Sequence, residues 1–248
     1  MTTIGLIKYC RRIILGLLLV CIPLNSAYAV IRIGAIFFDP PLVLSASQGF
    51  NIALSNRLCQ GIGQQCEIVQ MDWRKLFPAL DNNEIDVIMG VYITPARQQH
   101  YIFSLPYMLS QGRFMTLTDN KLTSVAQLKG QSVGLLTEEA GTGVFHQYVQ
   151  QAYGNFFQVS DYNDIEDLLS ALMNKSVTAI IIPDPVTNYW IQNSDNRFAT
   201  LGPVFTLGLG SGIMALPQNQ PLIDSINQEL KNMENNGDYL SIYRMYFQ

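Results

Sequence analysis

The sequence predicts an α/β protein of two lobes, each a mainly parallel sheet flanked by helices. Three observations predict it. Short β-branched or apolar runs alternate with amphipathic helical stretches. The alternation starts twice, once on each side of Phe114-Met115-Thr116-Leu117. Behind an N-terminal leader, 219 residues remain, enough for one large domain or two small ones.

The leader comes first. Lys8, Arg11 and Arg12 precede an apolar run from Ile13 to Leu24, and Ala27-Tyr28-Ala29 follows. A basic head, a short apolar middle and small residues at a cleavage site make residues 1–29 a secretory signal peptide, cut after Ala29. Twelve apolar residues fall short of the about 20 that span a bilayer. A lipoprotein anchor at Cys21 is a minor alternative, because Val20 stands where such sites want a small residue. The expected location is the periplasm. The whole chain carries 15 basic and 19 acidic residues; the leader removes three basic ones and no acid, leaving a net charge of −7. That balance argues against nucleic acid or an anionic membrane as partner. Cys10 and Cys21 leave with the leader. An oxidising compartment favours pairing the two that remain, Cys59 and Cys66. A zinc site there lacks partners, since His100 and His146 lie far off in sequence, and no metal or other cofactor is implied.

Val30 to Ile36 reads as a buried strand stopped by Pro40-Pro41, and Gly49-Phe50-Asn51 starts a helix with Phe50, Ala53, Leu54 and Leu58 on one face. Glu67 to Gln70 is a second strand. Asp72 can cap a short helix carrying Trp73, Leu76 and Phe77, which Pro78 interrupts or re-aims. Asp86 to Gly90 is a third strand. After the restart, Ser132 to Leu136 is a strand, Gly143 to Ala152 a helix, and Asp164 to Met173 a helix with Leu168, Leu169 and Leu172 inward. Val177 to Ile182 is an apolar strand closed by Pro183-Asp184-Pro185. A glycine-rich stretch from Leu207 to Gly212 precedes an amphipathic helix that starts near Pro221, with Ile223, Ile226, Leu230 and Met233 on one stripe, and Gly237 ends it. A last aromatic helix runs from Tyr239 to Phe247. Open sheets of this kind bind ligands beyond the carboxyl ends of their strands, so two facing lobes make a cleft.

One segment narrows the function: Ala79-Leu80-Asp81-Asn82-Asn83-Glu84-Ile85-Asp86-Val87-Ile88-Met89-Gly90-Val91-Tyr92-Ile93-Thr94-Pro95-Ala96-Arg97, ending in Phe103-Ser104-Leu105-Pro106-Tyr107. It resembles the signature of family 3 extracellular solute-binding proteins, which serve polar amino-acid ABC transporters. Ile31-Arg32-Ile33-Gly34, Pro41-Leu42, Gly49-Phe50, Leu128-Lys129-Gly130 before Ser132-Val133-Gly134, and Gly237-Asp238-Tyr239 follow in the family's order. The Cys59–Cys66 spacing is also similar to that of members binding basic amino acids. The resemblance covers essentially the whole chain behind the leader. It implies a type II periplasmic-binding-protein-like fold, with 30–112 and 205–248 forming lobe 1 and 113–204 lobe 2. The expected crossings lie near Gln111–Thr116 and Thr200–Thr206.

The resemblance also implies site residues. Arg97 stands where a guanidinium holds an α-carboxylate by two parallel charge-assisted hydrogen bonds. Residue Gly90 offers a carbonyl to the ligand ammonium. Tyr92 replaces the usual Ser or Thr hydroxyl at the carboxylate, which alters that clamp. Trp73 matches an aromatic that stacks on the ligand side chain. Phe38 and Asp39 lie in the first strand-to-helix loop, which normally supplies an aromatic and an acid. Asp39 also reads as a turn former before Pro40. Ile36 stands where members selective for basic side chains often carry an acid. In the second lobe Gly141-Thr142 matches a turn whose N–H and hydroxyl groups meet the carboxylate at a helix N-terminus. The preceding Thr137-Glu138-Glu139-Ala140 is about three residues longer than the pattern. Asp184 is expected near the ligand ammonium, one residue late, with Pro183 at the family position.

A cyclohexadienyl or arogenate dehydratase on the same fold is the enzymatic alternative. Glu138, Glu139 and His146 are its candidate acids and bases, but nothing resembles a nucleophile–base pair. The expected protein is therefore a monomeric carrier. It closes two lobes on a polar or basic amino acid and docks on an ABC transporter permease in the inner membrane.

Overall fold

The β-branched run behind the leader takes an interior place in a sheet, between two other strands. The computed structural model describes residues 30–137 and 143–247, so the leader, the acidic loop from Glu138 and the pair Gly141 and Thr142 lie outside the described residues. In the first sheet β1 (Ile31–Ala35) pairs in parallel with β2 (Cys66–Gln70) and with β3 (Val87–Tyr92). The short β4 (Ile102–Phe103) closes the sheet at the far edge. Helix α1 (Phe50–Gly61) follows β1, and α2 (Trp73–Asp81) follows β2.

The chain then enters a second sheet through β5 (Gln111–Leu117) and builds β6 (Ser132–Leu136), α3 (Val144–Ala152), β7 (Gln158–Tyr162), α4 (Ile165–Met173), β8 (Ala179–Pro183), α5 (Asp184–Gln192) and β9 (Phe198–Thr206). It returns through β10 (Ser211–Ala215) and ends in α6 (Gln220–Asn236) and α7 (Asp238–Phe247). The spatial orders are β2-β1-β3-β10-β4 and β7-β6-β8-β5-β9. In each sheet four strands run one way. The reversed one is the strand arriving from the other lobe, β10 in the first sheet and β5 in the second.

Both sheets bury both faces. Alternate residues of β3 and β10 point to opposite sides: Val87, Met89 and Ile213 pack under α1, α6 and α7, while Ile88, Val91 and Met214 pack under α2. The second sheet does the same, with Phe114 and Ile181 toward α3 and Met115, Ile180 and Ile182 toward α4 and α5. Phe50 is wholly buried among Tyr107, Tyr239, Tyr243, Tyr246 and Phe247, with ring centroids 5.0–6.4 Å away. Arg57 on α1 holds the C-terminal helices by bonds to Glu229 (2.9 Å) and Asp238 (2.8 Å). The disulfide Cys59–Cys66 ties the end of α1 to the start of β2.

Several expectations change. Pro78 does not interrupt α2, which runs on to Asp81 because Leu76, Phe77, Ala79 and Leu80 are all buried by it, outweighing one lost backbone bond. Asp72 sits at the N-cap position but bonds Lys75 Nζ at 2.9 Å instead of a backbone N–H. Ala53 is only half-buried, and Ile52 takes the inward place. The segments 111–116 and 200–206 are not the crossings; they are β5 and β9, paired within the second sheet. The chain passes between lobes at 104–110 and 207–210, and these two segments bond each other. Leu207 N donates to Ser110 O and Ser211 N to Met108 O, both at 2.8 Å, while Ser110 Oγ donates to Leu207 O.

Candidate ligand cleft

The carboxyl ends of β1, β3, β6 and β8 converge on a cavity of about 300 Å³ between the lobes. The loop after β1 contributes Ile36, Phe38 and Asp39, β3 contributes Gly90 and Tyr92, and the crossings contribute Met108 and Ser211. The second lobe adds Leu136, Phe145, Glu166 and Pro183. The parallel strands of both sheets thus aim their ends at one space, as open α/β sheets do.

Arg97 forms the deep charged wall. It opens the single turn Arg97–Gln99 and is 2% exposed. Its backbone N–H donates to Thr94 Oγ1 at 3.2 Å, and its Nη1 donates to the Tyr92 carbonyl at 2.8 Å. The guanidinium carbon lies 5.9 Å from the Trp73 ring centroid and 5.5 Å from that of Phe77, within cation–π range. Trp73 therefore braces the arginine while also lining the cavity. An arginine fixed by one backbone bond and two rings keeps its remaining N–H groups in a defined plane.

Asp39 stands in the same lining. Its backbone pairs with Val43, giving an N–H···O bond in each direction (2.8 and 2.9 Å). No hydrogen bond or ion pair reaches its carboxylate among the described residues. Desolvation among apolar neighbours pushes this carboxyl up from 3.8 to about 7. Gly90, also in the lining, cannot take a larger side chain, because a Cβ would approach the Asn51 side-chain nitrogen at 2.8 Å.

Tyr92 and Phe38 reach across the cleft. The Tyr92 hydroxyl donates to Gln111 O at 3.3 Å, and its ring lies 6.0 Å from that of Phe145 on α3. The Phe38 ring meets Trp190 on α5 edge-on at 6.5 Å. Asp184, expected near the ligand ammonium, lies outside the lining of this cavity. Its carboxylate lies 2.7 Å from Arg113 Nε and accepts from Asn188 Nδ2 at 3.1 Å, while Pro183 and Pro185, not Asp184, line the cavity. The cause is local: the strand ends at Pro183 and α5 begins at once, so Asp184 points along its own helix face. His146 pairs with Asp161 at 2.6 Å and is absent from the cavity lining.

Residues 32–248 match the family model of bacterial extracellular solute-binding proteins, family 3. The chain belongs to that family. A solved arginine 3rd transport system periplasmic binding protein from Legionella pneumophila is 32% identical, with a TM-score of 0.80 over 88% of this chain and 99% of that one. The arginine-binding extracellular protein ArtP of Bacillus subtilis is 27% identical over 204 residues, 80% of this chain and 77% of its own. A probable histidine-binding protein of Neisseria gonorrhoeae is 28% identical over 206 residues, 81% of this chain and 75% of its own. The protein is a binder of solutes and not an enzyme; the dehydratase alternative finds no support in these relatives.

In this family 3 solute-binding protein, sequence reading passed over Asn51, Phe145 and Glu166. Asn51 is 4% exposed on the apolar face of α1, lines the cleft and accepts from Tyr107 Oη at 3.0 Å. A polar side chain among Phe50, Leu54 and Leu58 was the available signal, since burial there demands a partner. Phe145 gave none, because an aromatic on a helix reads as core.

Proposed function

We propose that this protein is the solute-binding component of an ABC importer for a cationic amino acid. The observation that carries the reading is the charge in the cleft. One guanidinium, Arg97, shares the lining with four carboxylates, Asp39, Asp72, Asp164 and Glu166. Asp72 faces Lys75 and Asp164 caps its own helix, whereas no hydrogen bond or ion pair reaches the Asp39 carboxylate among the described residues. An α-amino acid with a cationic side chain offers a carboxylate to the Arg97 guanidinium and a positive charge to the Asp39 carboxylate. Ile36 leaves one wall apolar, so Asp39 and Glu166 meet the cation instead. The arginine- and histidine-binding relatives support the same class.

In this reading Arg97 takes the α-carboxylate, together with the Gly141-Thr142 turn, and the Gly90 carbonyl takes the ammonium group. Trp73 and Phe38 wall the aliphatic stem, and Asp39 faces the distal charge. Tyr92 narrows the cleft beside Arg97. Lobe 1, built on 30–103 with 211–248, and lobe 2, built on 111–206, close around the ligand. The leader is cut after Ala29, the mature monomer works in the periplasm, and the closed form docks on an inner-membrane permease.

Thermal unfolding against the twenty amino acids plus ornithine and citrulline tests this. A ligand at about 100 times its Kd adds about 2.7 kcal/mol. Arginine, lysine, ornithine or histidine should stabilise the protein, and glutamate should not. Arg97→Ala should weaken that ligand by about 100-fold or more, the loss of two charge-assisted bonds. Stabilisation by acidic amino acids alone would overturn the reading.

A further inference from the structure

Residue 92 touches both lobes and both strands that lead between them. Its carbonyl holds Arg97 Nη1 at 2.8 Å. Its hydroxyl donates to the carbonyl of Gln111, the first residue of the strand that enters lobe 2. Its backbone pairs with Ser211, the first residue of the strand that returns. Its ring meets Phe145 on α3 of lobe 2 at 6.0 Å, tilted by 50°. A serine or threonine at this place can reach neither Phe145 nor Gln111 O.

A second aromatic bridge stands apart from it. Phe38, in the loop after β1, meets Trp190 edge-on. The two bridges end on opposite faces of the second sheet, Tyr92 on the cluster around Phe114 and Ile181, Phe38 on the cluster around Met115 and Ile180. Contacts on both faces of one sheet oppose rotation of that lobe in either sense. They need no ligand, because every group in them belongs to the chain.

We infer that Tyr92 is a positioning residue that holds the lobes closed before ligand arrives and ties the seating of Arg97 to the hinge. Closure without ligand raises the fraction of molecules competent to bind, and the apparent Kd falls in proportion. Replacing the small hydroxyl by tyrosine thus exchanges a direct ligand contact for a pre-closed cleft. The affinity part of this inference rests on the cationic amino-acid reading above; the closure part does not.

Small-angle scattering of the ligand-free protein, with and without 1,000-fold excess arginine in a parallel sample, tests it. The free wild-type protein should scatter almost as the saturated one does. Tyr92→Ser should expand in the free form, contract on adding arginine and bind arginine about tenfold more weakly. Tyr92→Phe keeps the ring and should remain nearly closed. If Tyr92→Ser does not fold, Phe145→Leu breaks the same contact from the other lobe and should expand likewise. A free wild-type protein as expanded as either variant, or a Tyr92→Ser protein still contracted, would overturn the inference. Absence of any response to arginine in every variant would instead count against the ligand reading and leave the comparison of free forms standing.

Discussion

Arg113 Nε lies 2.7 Å from Asp184 Oδ1, so the strand that enters lobe 2 is joined to the first residue of α5. The side chains are 23% and 15% exposed, and Asn188 Nδ2 donates to the other carboxylate oxygen at 3.1 Å. This pairing occupies the acid that the sequence pattern had set aside for the ligand. Asp184 works within lobe 2, and the cleft keeps Asp39, whose carboxylate meets no hydrogen bond or ion pair among the described residues.

Breaking that pair should therefore touch stability before binding. Arg113→Ala leaves Asp184 partly buried without its cation and is expected to cost about 1–3 kcal/mol. Urea unfolding measures the loss. Isothermal titration with the cognate amino acid should show Kd within about threefold of wild type for Asp184→Asn. A large loss of affinity at unchanged stability would return Asp184 to the ligand.

Asp39 should make binding depend on pH. Its carboxyl titrates at about 7 in the folded protein against an ordinary 3.8, because burial disfavours the charge. The ligand-free folded state therefore holds a proton that the unfolded chain releases. Its contribution to stability is full below about 4 and is lost as pH rises through about 7. A cationic ligand reverses the preference, since it pairs with the ionised form. Affinity should thus rise between about pH 6 and 8, and Asp39→Asn should flatten the profile while lowering affinity at pH 8. Arg97, Asp72, Asp164 and Glu166 share the lining, so titrations of the variant alongside wild type isolate the part due to Asp39.

Gly208 lies in the return crossing with φ +59, and a Cβ there would run into the carbonyl oxygen of Ile93. Leu209 N donates to that same oxygen at 2.9 Å. Gly208→Ala meets both a left-handed backbone and a backbone clash, costing at least about 1–2 kcal/mol. Thermal unfolding should show the loss. Gly63→Ala, also at positive φ (+67) but with nothing near its Cβ, should show only the smaller conformational part.

The Cys59–Cys66 bridge closes a short loop at the end of α1, away from the cleft. Its loss in Cys59→Ser/Cys66→Ser should lower stability by about 2–3 kcal/mol on the chain-entropy account. Ligand affinity at saturating folded protein should stay unchanged. Denaturant titration and calorimetry on one preparation separate the two quantities.

Periodicity and spacing made much of this protein legible. The elements that bury a clean apolar face, such as α1, α4, α6 and the strands β1, β3 and β8, follow from the order of apolar residues alone. The candidacy of Arg97 came instead from the resemblance of the segment Ala79–Arg97 to the family signature, because an arginine by itself more often pairs with a surface acid. What stayed hidden was decided by partners distant in sequence. β9 and β10 carry glycines and read as loop, yet β5 and β3 supply their pairing. α5 follows β8 without a connecting residue, and Pro183-Asp184-Pro185 reads as a stop although proline also opens helices. The contacts of Asp184, Asp39 and Tyr92 were decided the same way. Each side chain has the chemistry to face a ligand, and only the tertiary structure gave Arg113 to the first, no partner among the described residues to the second, and Phe145 with Gln111 to the third. A sequence sets which groups a chain can offer; the energies that choose among them come from contacts that exist only after the two lobes have packed.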